Sequence, residues 1–134
     1  SIGVVQAKRY PQLLARRKEI INRYHQHFAN TSIKGLNHYT DNASSSGHLY
    51  IATIEGATLE TRNNVIEEMG ERGIATNVHY KPLPLLSAYK NLEFDIKDYP
   101  NAFSYYKNQI TLPLNNLLTT DDIDYIKHYI EEYK

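Results

Sequence analysis

The sequence predicts an α+β domain in which helices cover a small, mainly antiparallel sheet, preceded by a long helix kinked at its proline. Three observations carry this reading. Helical apolar stripes open and close the chain, apolar runs of strand length lie between them, and Gly, Pro and Asn punctuate the boundaries. A length of 134 residues suits one hydrophobic core, and 41% apolar with 22% charged residues is ordinary globular usage.

Val5, Leu13, Ile20, Tyr24 and Phe28 stripe one side of a helix within residues 1–30, with Asn30 marking its end. Pro11 lacks a backbone N–H and its ring crowds the preceding turn, so a kink or a fresh start is expected near Tyr10 and Pro11. Asp41 to Gly47 reads as a polar loop. His48–Ile54 is apolar on both alternating faces, with Leu49 and Ile51 on one and Tyr50, Ala52 and Ile54 on the other; that pattern predicts a buried central strand. Thr58 caps the next helix, where Leu59, Ile66 and Met69 share a face, Glu60 sits near the positive end of the dipole, and Gly73 stops the helix.

Ala75–Tyr80 then returns as a strand, which completes a strand-helix-strand unit of crossover size. Residues 81–97, with Pro82 and Pro84, have little periodicity and predict an ordered but irregular loop of a length that often carries function. Pro100 opens a short helix through Tyr106. Gln109–Leu112 adds a short edge strand closed by Pro113, which cannot donate to a ladder. Thr119 with Asp122 forms a capping box with Asp in the place of Glu, and Ile123, Ile126 and Ile130 then repeat at helical spacing.

Several function classes are excluded or disfavoured. Fifteen basic residues balance fifteen acidic ones without a basic run, so the electrostatic footprint of a nucleic-acid binder is missing. The chain has no Cys, which removes disulfides, thiolate catalysis and cysteine metal sites and is compatible with a reducing cytoplasm. No apolar stretch approaches the roughly 20 residues that span a bilayer, and the amino terminus lacks a signal-peptide plan. His25, His27 and His128 lie on helices without a second ligand at metal-binding spacing, so no metal site is assigned. Ser44, Ser45 and Ser46 lack a nucleophile elbow, and the glycines do not have phosphate-cradling spacing. Arg16 and Arg17, adjacent and so about 100° apart on a helix, read as a solvated face.

The most informative stretch runs from Glu71 to Pro84, as a helix stop, a strand, and then His79, Tyr80 and Lys81 where the strand gives way to a Pro-rich loop. A rigid strand end fixes the backbone while side chains face a crevice, which makes these three residues the candidate binding residues. Spacing alone is equally met by a packed Tyr80, a solvated Lys81 and a satisfied His79. Twelve Tyr against three Phe and no Trp suits many half-buried positions with a wet hydroxyl.

Taken in order, Ile2-Gly3-Val4-Val5-Gln6, Arg16-Arg17-Lys18-Glu19-Ile20, His48-Leu49-Tyr50, the run from Gly73 to Leu83, Tyr99-Pro100-Asn101-Ala102 and Leu112-Pro113-Leu114 resemble the DegT/DnrJ/EryC1/StrS sugar aminotransferases, of the aspartate-aminotransferase superfamily. The resemblance implies a parent enzyme that uses pyridoxal phosphate to move an amino group, usually from glutamate, to a keto group on a nucleotide-linked deoxysugar, in the cytoplasm and within cell-surface polysaccharide biosynthesis. It implies that the Schiff-base lysine, the phosphate grip and the acid on the pyridine nitrogen lie in a large amino-terminal domain. Residues 1–30 are then the interdomain helix segment, 31–134 the carboxy-terminal small domain, and the cofactor-binding domain is absent. On this reading the chain alone carries no catalytic or cofactor-binding residue and is inactive.

The implied partners are that large domain, a nucleotide sugar and a second subunit in a homodimer; His79, Tyr80 and Lys81 would edge the substrate cleft. Many members have a His after the Pro-Leu pair where this chain has Pro84, so a substrate role for that second His does not transfer. The flanks of Lys81 are not those of the cofactor lysine. The competing reading is a freestanding module of split β-α-β type that binds a small metabolite or regulates without catalysis.

Overall fold

The computed structural model describes residues 2–131. Helix α1 runs over Ile2–Phe28, with Pro11 inside it. The fresh start expected near Pro11 does not occur. The missing N–H and the crowded ring cost one turn on an exposed stretch, and the turns on either side continue the helix. Ile20, Ile21, Tyr24 and Phe28 are buried, whereas Val5 is exposed and Leu13 half-buried, so only the second half of the stripe reaches the core.

Three strands form the main sheet in the order β1 (Ile33–Gly35), β4 (Tyr50–Ile54), β5 (Gln109–Leu112), antiparallel throughout. The predicted central strand is central, shortened to begin at Tyr50, and Gln109–Leu112 is an edge strand as expected. The register pairs Ile33 with Ile54, Ala52 with Ile110, and Tyr50 with Leu112. Because side chains alternate, all six stand on one face. They pack against Ile20, Tyr24 and Phe28 of α1, Val65 and Met69 of α2 (Leu59–Glu71), and Ile123, Ile126 and Ile130 of α5 (Thr120–Ile130).

The polar loop expected from Asp41 to Gly47 contains a small hairpin, with β2 (Tyr39–Thr40) and β3 (Ala43–Ser44) paired about Asp41 and Asn42. Strands of two residues are too short to show a period, which hides them in the sequence. Gly47 has φ +61, and a Cβ there would sit 3.1 Å from both Arg17 Cβ and Ile21 Cδ1. Glycine is needed at that position for its conformation and for its size.

Helix α2 is capped as predicted. The Thr58 side chain accepts from the Thr61 N–H, and Thr61 reaches back to the Thr58 N–H. At the other end Gly73, at φ +76, donates to the Gly70 carbonyl, and Ile74 donates to that of Met69, both at 2.9 Å. This is a Schellman closure with buried Met69 and Ile74 as its apolar pair. The buried face is Arg62, Val65 and Met69; Leu59 and Ile66 are only half-buried. Arg62 donates from Nη1 to the Gln109 carbonyl at 3.0 Å and lies over the Tyr106 ring, which is how a cation 1% exposed is accommodated.

The strand expected over Ala75–Tyr80 is reduced to one antiparallel bridge, Asn77 to Thr111. Since β5 is antiparallel both to β4 and to Asn77, the segment around Asn77 runs parallel to β4 with β5 between them, a split crossover through α2. Pro82 sets the limit, because it enforces a turn directly after the short extended run. The stretch 81–97 is ordered but irregular, as expected. It holds a 3-10 turn at Leu83–Leu85, a short helix α3 at Ser87–Lys90 and a second 3-10 turn at Ile96–Asp98, followed by α4 at Pro100–Tyr106. Among the described residues no helix is long and apolar enough to cross a membrane.

Candidate functional site

The sheet face opposite the helices carries Thr53, Gln109 and Thr111, the residues that alternate with the core set. On this face the Asn77 bridge delivers His79. Asn77 and Thr111 exchange both backbone hydrogen bonds, Asn77 N–H to the Thr111 carbonyl at 3.2 Å and Thr111 N–H to that of Asn77 at 2.7 Å. Two residues on, the His79 Nδ1 lies 3.0 Å from the Thr111 hydroxyl. The half-buried imidazole is thus tied at one nitrogen, which leaves Nε2 for a ligand.

Tyr80 follows through a cis peptide bond, with its ring edge-on to that of His79 at 4.8 Å between centroids, and it is 72% exposed. Lys81 is exposed at the entrance to the Pro82–Leu86 turn, which is closed by Leu85 N–H on the Pro82 carbonyl. The structure therefore brings His79 and Tyr80 together on one rim, with Lys81 beside them and open to solvent. Beyond the turn a hollow of about 420 Å³ is lined by Pro84, Leu85, Phe94 and Ile96 with Lys90, Glu93 and Asp95.

A lysine that forms a Schiff base is activated in a desolvated pocket or beside another cation. Lys81 has open solvent instead, so its surroundings do not fit pyridoxal phosphate. Among the described residues no group of three or more His, Asp or Glu is placed to hold a metal ion.

A second polar cluster went unread in the sequence. His25 Nδ1 lies 3.3 Å from the Tyr50 hydroxyl, the His38 ring stacks on Tyr50 at 5.7 Å, and His38 Nδ1 meets the Ser45 hydroxyl at 3.1 Å. Burial pulls both imidazoles below the usual histidine pKa, and for His38 the neighbouring His25 adds to it. Burial also pushes the Tyr50 phenol up. A Cβ on Gly35 would collide with the Tyr50 hydroxyl, so the cluster is closed on that side and serves to fix α1 to the sheet. Arg16 and Arg17 are likewise tethers and not a free face. Arg16 donates to the Leu118 carbonyl and pairs with Glu19, and Arg17 reaches the Ser46 carbonyl at 3.4 Å.

A three-strand antiparallel sheet with one helical face, a split crossover and a polar rim at its far edge is the architecture of one part of the sugar aminotransferases. Over 98% of its length the chain superposes, with a TM-score of 0.95 and 52% identity, on a third (33%) of Spr1654 from Streptococcus pneumoniae, a protein provisionally described as a sugar aminotransferase and solved in its PMP form. It also superposes on PseC of Helicobacter pylori, an aminotransferase of pseudaminic acid biosynthesis, with a TM-score of 0.85 and 27% identity over 98% of this chain and 35% of that one. The sequence profile of the DegT/DnrJ/EryC1/StrS aminotransferase family matches residues 1–131, and the chain belongs to that family. Among curated relatives, the spore coat polysaccharide biosynthesis protein SpsC of Bacillus subtilis is 33% identical over 129 residues, 92% of this chain and 33% of that protein. The UDP-4-amino-4,6-dideoxy-N-acetyl-beta-L-altrosamine transaminase of Campylobacter jejuni is 29% identical over 95% of this chain and 34% of its own length. The chain spans about a third of the length of the relatives it matches.

Proposed function

We propose that this chain is the carboxy-terminal small domain of a pyridoxal-phosphate-dependent aminotransferase that aminates a nucleotide-linked keto-deoxysugar with glutamate as donor. The observation that carries the reading is its match, end to end, to one third of sugar aminotransferases. The exposed apolar residues Ile2, Val4, Val5 and Tyr10 on the first half of α1 support a large domain covering that face, with residues 1–30 as the connecting helix. The whole enzyme works in the cytoplasm as a homodimer.

When bound in the whole enzyme, the cofactor supplies the chemistry that carries the amino group from donor to sugar. The residues of this chain bind and orient. His79 offers a ring nitrogen to the sugar nucleotide, Tyr80 walls the cleft with its ring, and Lys81 brings a positive charge to an anionic substrate.

The test has two arms. The complete reading frame, assayed with glutamate against a panel of nucleotide-linked keto-deoxysugars, is expected to transaminate at least one of them. The 134-residue chain alone, mixed with pyridoxal phosphate and reduced with borohydride, is expected to form no stoichiometric adduct. One adduct per chain on Lys81, accompanied by transaminase activity, overturns the reading.

A further inference from the structure

We propose that Thr111 is a positioning residue for His79, and that its hydroxyl sets the imidazole tautomer presented to substrate; this rests on the reading of His79 as a substrate contact. Thr111 is 5% exposed and is held from both sides, by its register with Ile51 of β4 and by the reciprocal backbone bonds to Asn77. Its neighbours Ile110 and Leu112 point into the core, so Thr111 points to the opposite face, where the His79 Nδ1 lies 3.0 Å from its hydroxyl.

Packing alone would favour Val at this position, since Val has the same shape and no polar atom to desolvate. A buried hydroxyl is worth keeping where it is hydrogen-bonded. On this proposal Thr111 Oγ1 donates to the Nδ1 lone pair, so the ring proton lies on Nε2. His79 then presents an N–H donor, at a fixed angle, to an oxygen of the sugar nucleotide. The same bond removes the freedom of the ring to flip, which orders the contact before substrate arrives.

The experiment uses the full-length enzyme. In the wild type with ¹⁵N-labelled histidine, the His79 resonances are expected to show one tautomer, protonated at Nε2. A spectrum averaged between tautomers, or a proton on Nδ1, overturns the proposal. In kinetics, Thr111→Val is expected to raise KM for the sugar nucleotide about fivefold with little change in kcat, the size of one lost neutral hydrogen bond. Thr111→Ser is expected to restore KM to within about twofold, and Thr111→Val is expected to add nothing in a His79→Ala background.

If His79→Ala leaves KM and kcat unchanged, the substrate-contact reading itself fails. If His79→Ala impairs the enzyme and Thr111→Val does not, that reading stands and the role of Thr111 is refuted. Should Thr111→Val not fold, Thr111→Ala is read in the same spectrum, and a His79 ring still held there as one Nε2-protonated tautomer refutes the role of Thr111.

Discussion

At the scale of the residue, His79 and His128 make a controlled comparison. His79 is half-buried at the end of the Asn77 segment, bonded to Thr111, whereas His128 is exposed in the last turn of α5 with its ring against Tyr129. In the complete enzyme His79→Ala is expected to lower kcat/KM for the sugar nucleotide at least tenfold, about 1.4 kcal/mol of transition-state interaction, while the cofactor absorbance persists. His128→Ala is expected to be nearly silent in the same assay. Full activity in both variants would make His79 structural.

His25 and His38 carry a prediction of a different kind. Both are bases whose folded-state pKa is depressed by burial below the ordinary 6.5. Above that value both states hold the rings neutral and their contribution is complete. As pH falls through and below it, the unfolded chain takes up protons first and stability drops. The thermal midpoint is therefore expected to fall between about pH 7.5 and about pH 5.5, and His38→Gln to flatten that slope. Asp122 and Asp124 do not confuse this window. Hydrogen bonds from Thr119 and Arg23 respectively hold them below the usual carboxylate range, so their contribution fades only in stronger acid.

Elements were legible in the sequence where their signals are local. The Thr58 cap, the capping box at Thr119, the Gly73 stop and the Ile123, Ile126, Ile130 stripe depend on neighbours within one or two turns, and all are present. The Asn77 bridge and the two-residue hairpin depend on partners dozens of residues away or on strands too short to alternate, and neither could be read. The same division holds for the site. His79 stands out by its place before a Pro-rich turn, whereas Thr111 looks like any β-branched strand residue until its partner is known.

Two substitutions test the elements. In α5, Thr119 accepts from the Asp122 N–H at 3.1 Å, and Asp122 accepts from the Thr119 N–H at 2.8 Å. Thr119→Ala is expected to cost about 1 kcal/mol in urea denaturation, with Thr119→Ser close to wild type. Gly47→Ala combines positive φ with two contacts at 3.1 Å and is expected to cost more than about 1 kcal/mol. An unchanged urea midpoint would mean that the loop shifts freely away from α1.

For the whole molecule, the uneven covering of α1 matters most. Ile2 is 83% exposed, and Val4, Val5 and Tyr10 are also open, while the second half of the same helix is buried in the core. Without a covering domain the 134-residue chain is expected to self-associate in light scattering, and Val4→Lys with Val5→Lys to restore a monomer. A compact wild-type monomer at high concentration would show that this face needs no cover.

The Asn77–Thr111 bridge has a consequence for motion. The rim that bears His79 is joined to the sheet by a single reciprocal pair of backbone bonds, whereas Ala52 and Thr53 of β4 have strand partners on both sides. Releasing that pair frees residues 75–80 without disturbing Tyr50, Ala52 or Ile54, so the rim can peel back as a unit of low local stability. Deuterium uptake should report this directly, with the amides of Asn77 and its neighbours exchanging well ahead of those of Ala52 and Thr53. A bound sugar nucleotide that touches His79 would slow the first set and leave the second as it was, because it would hold shut a rim whose ring is already oriented by Thr111.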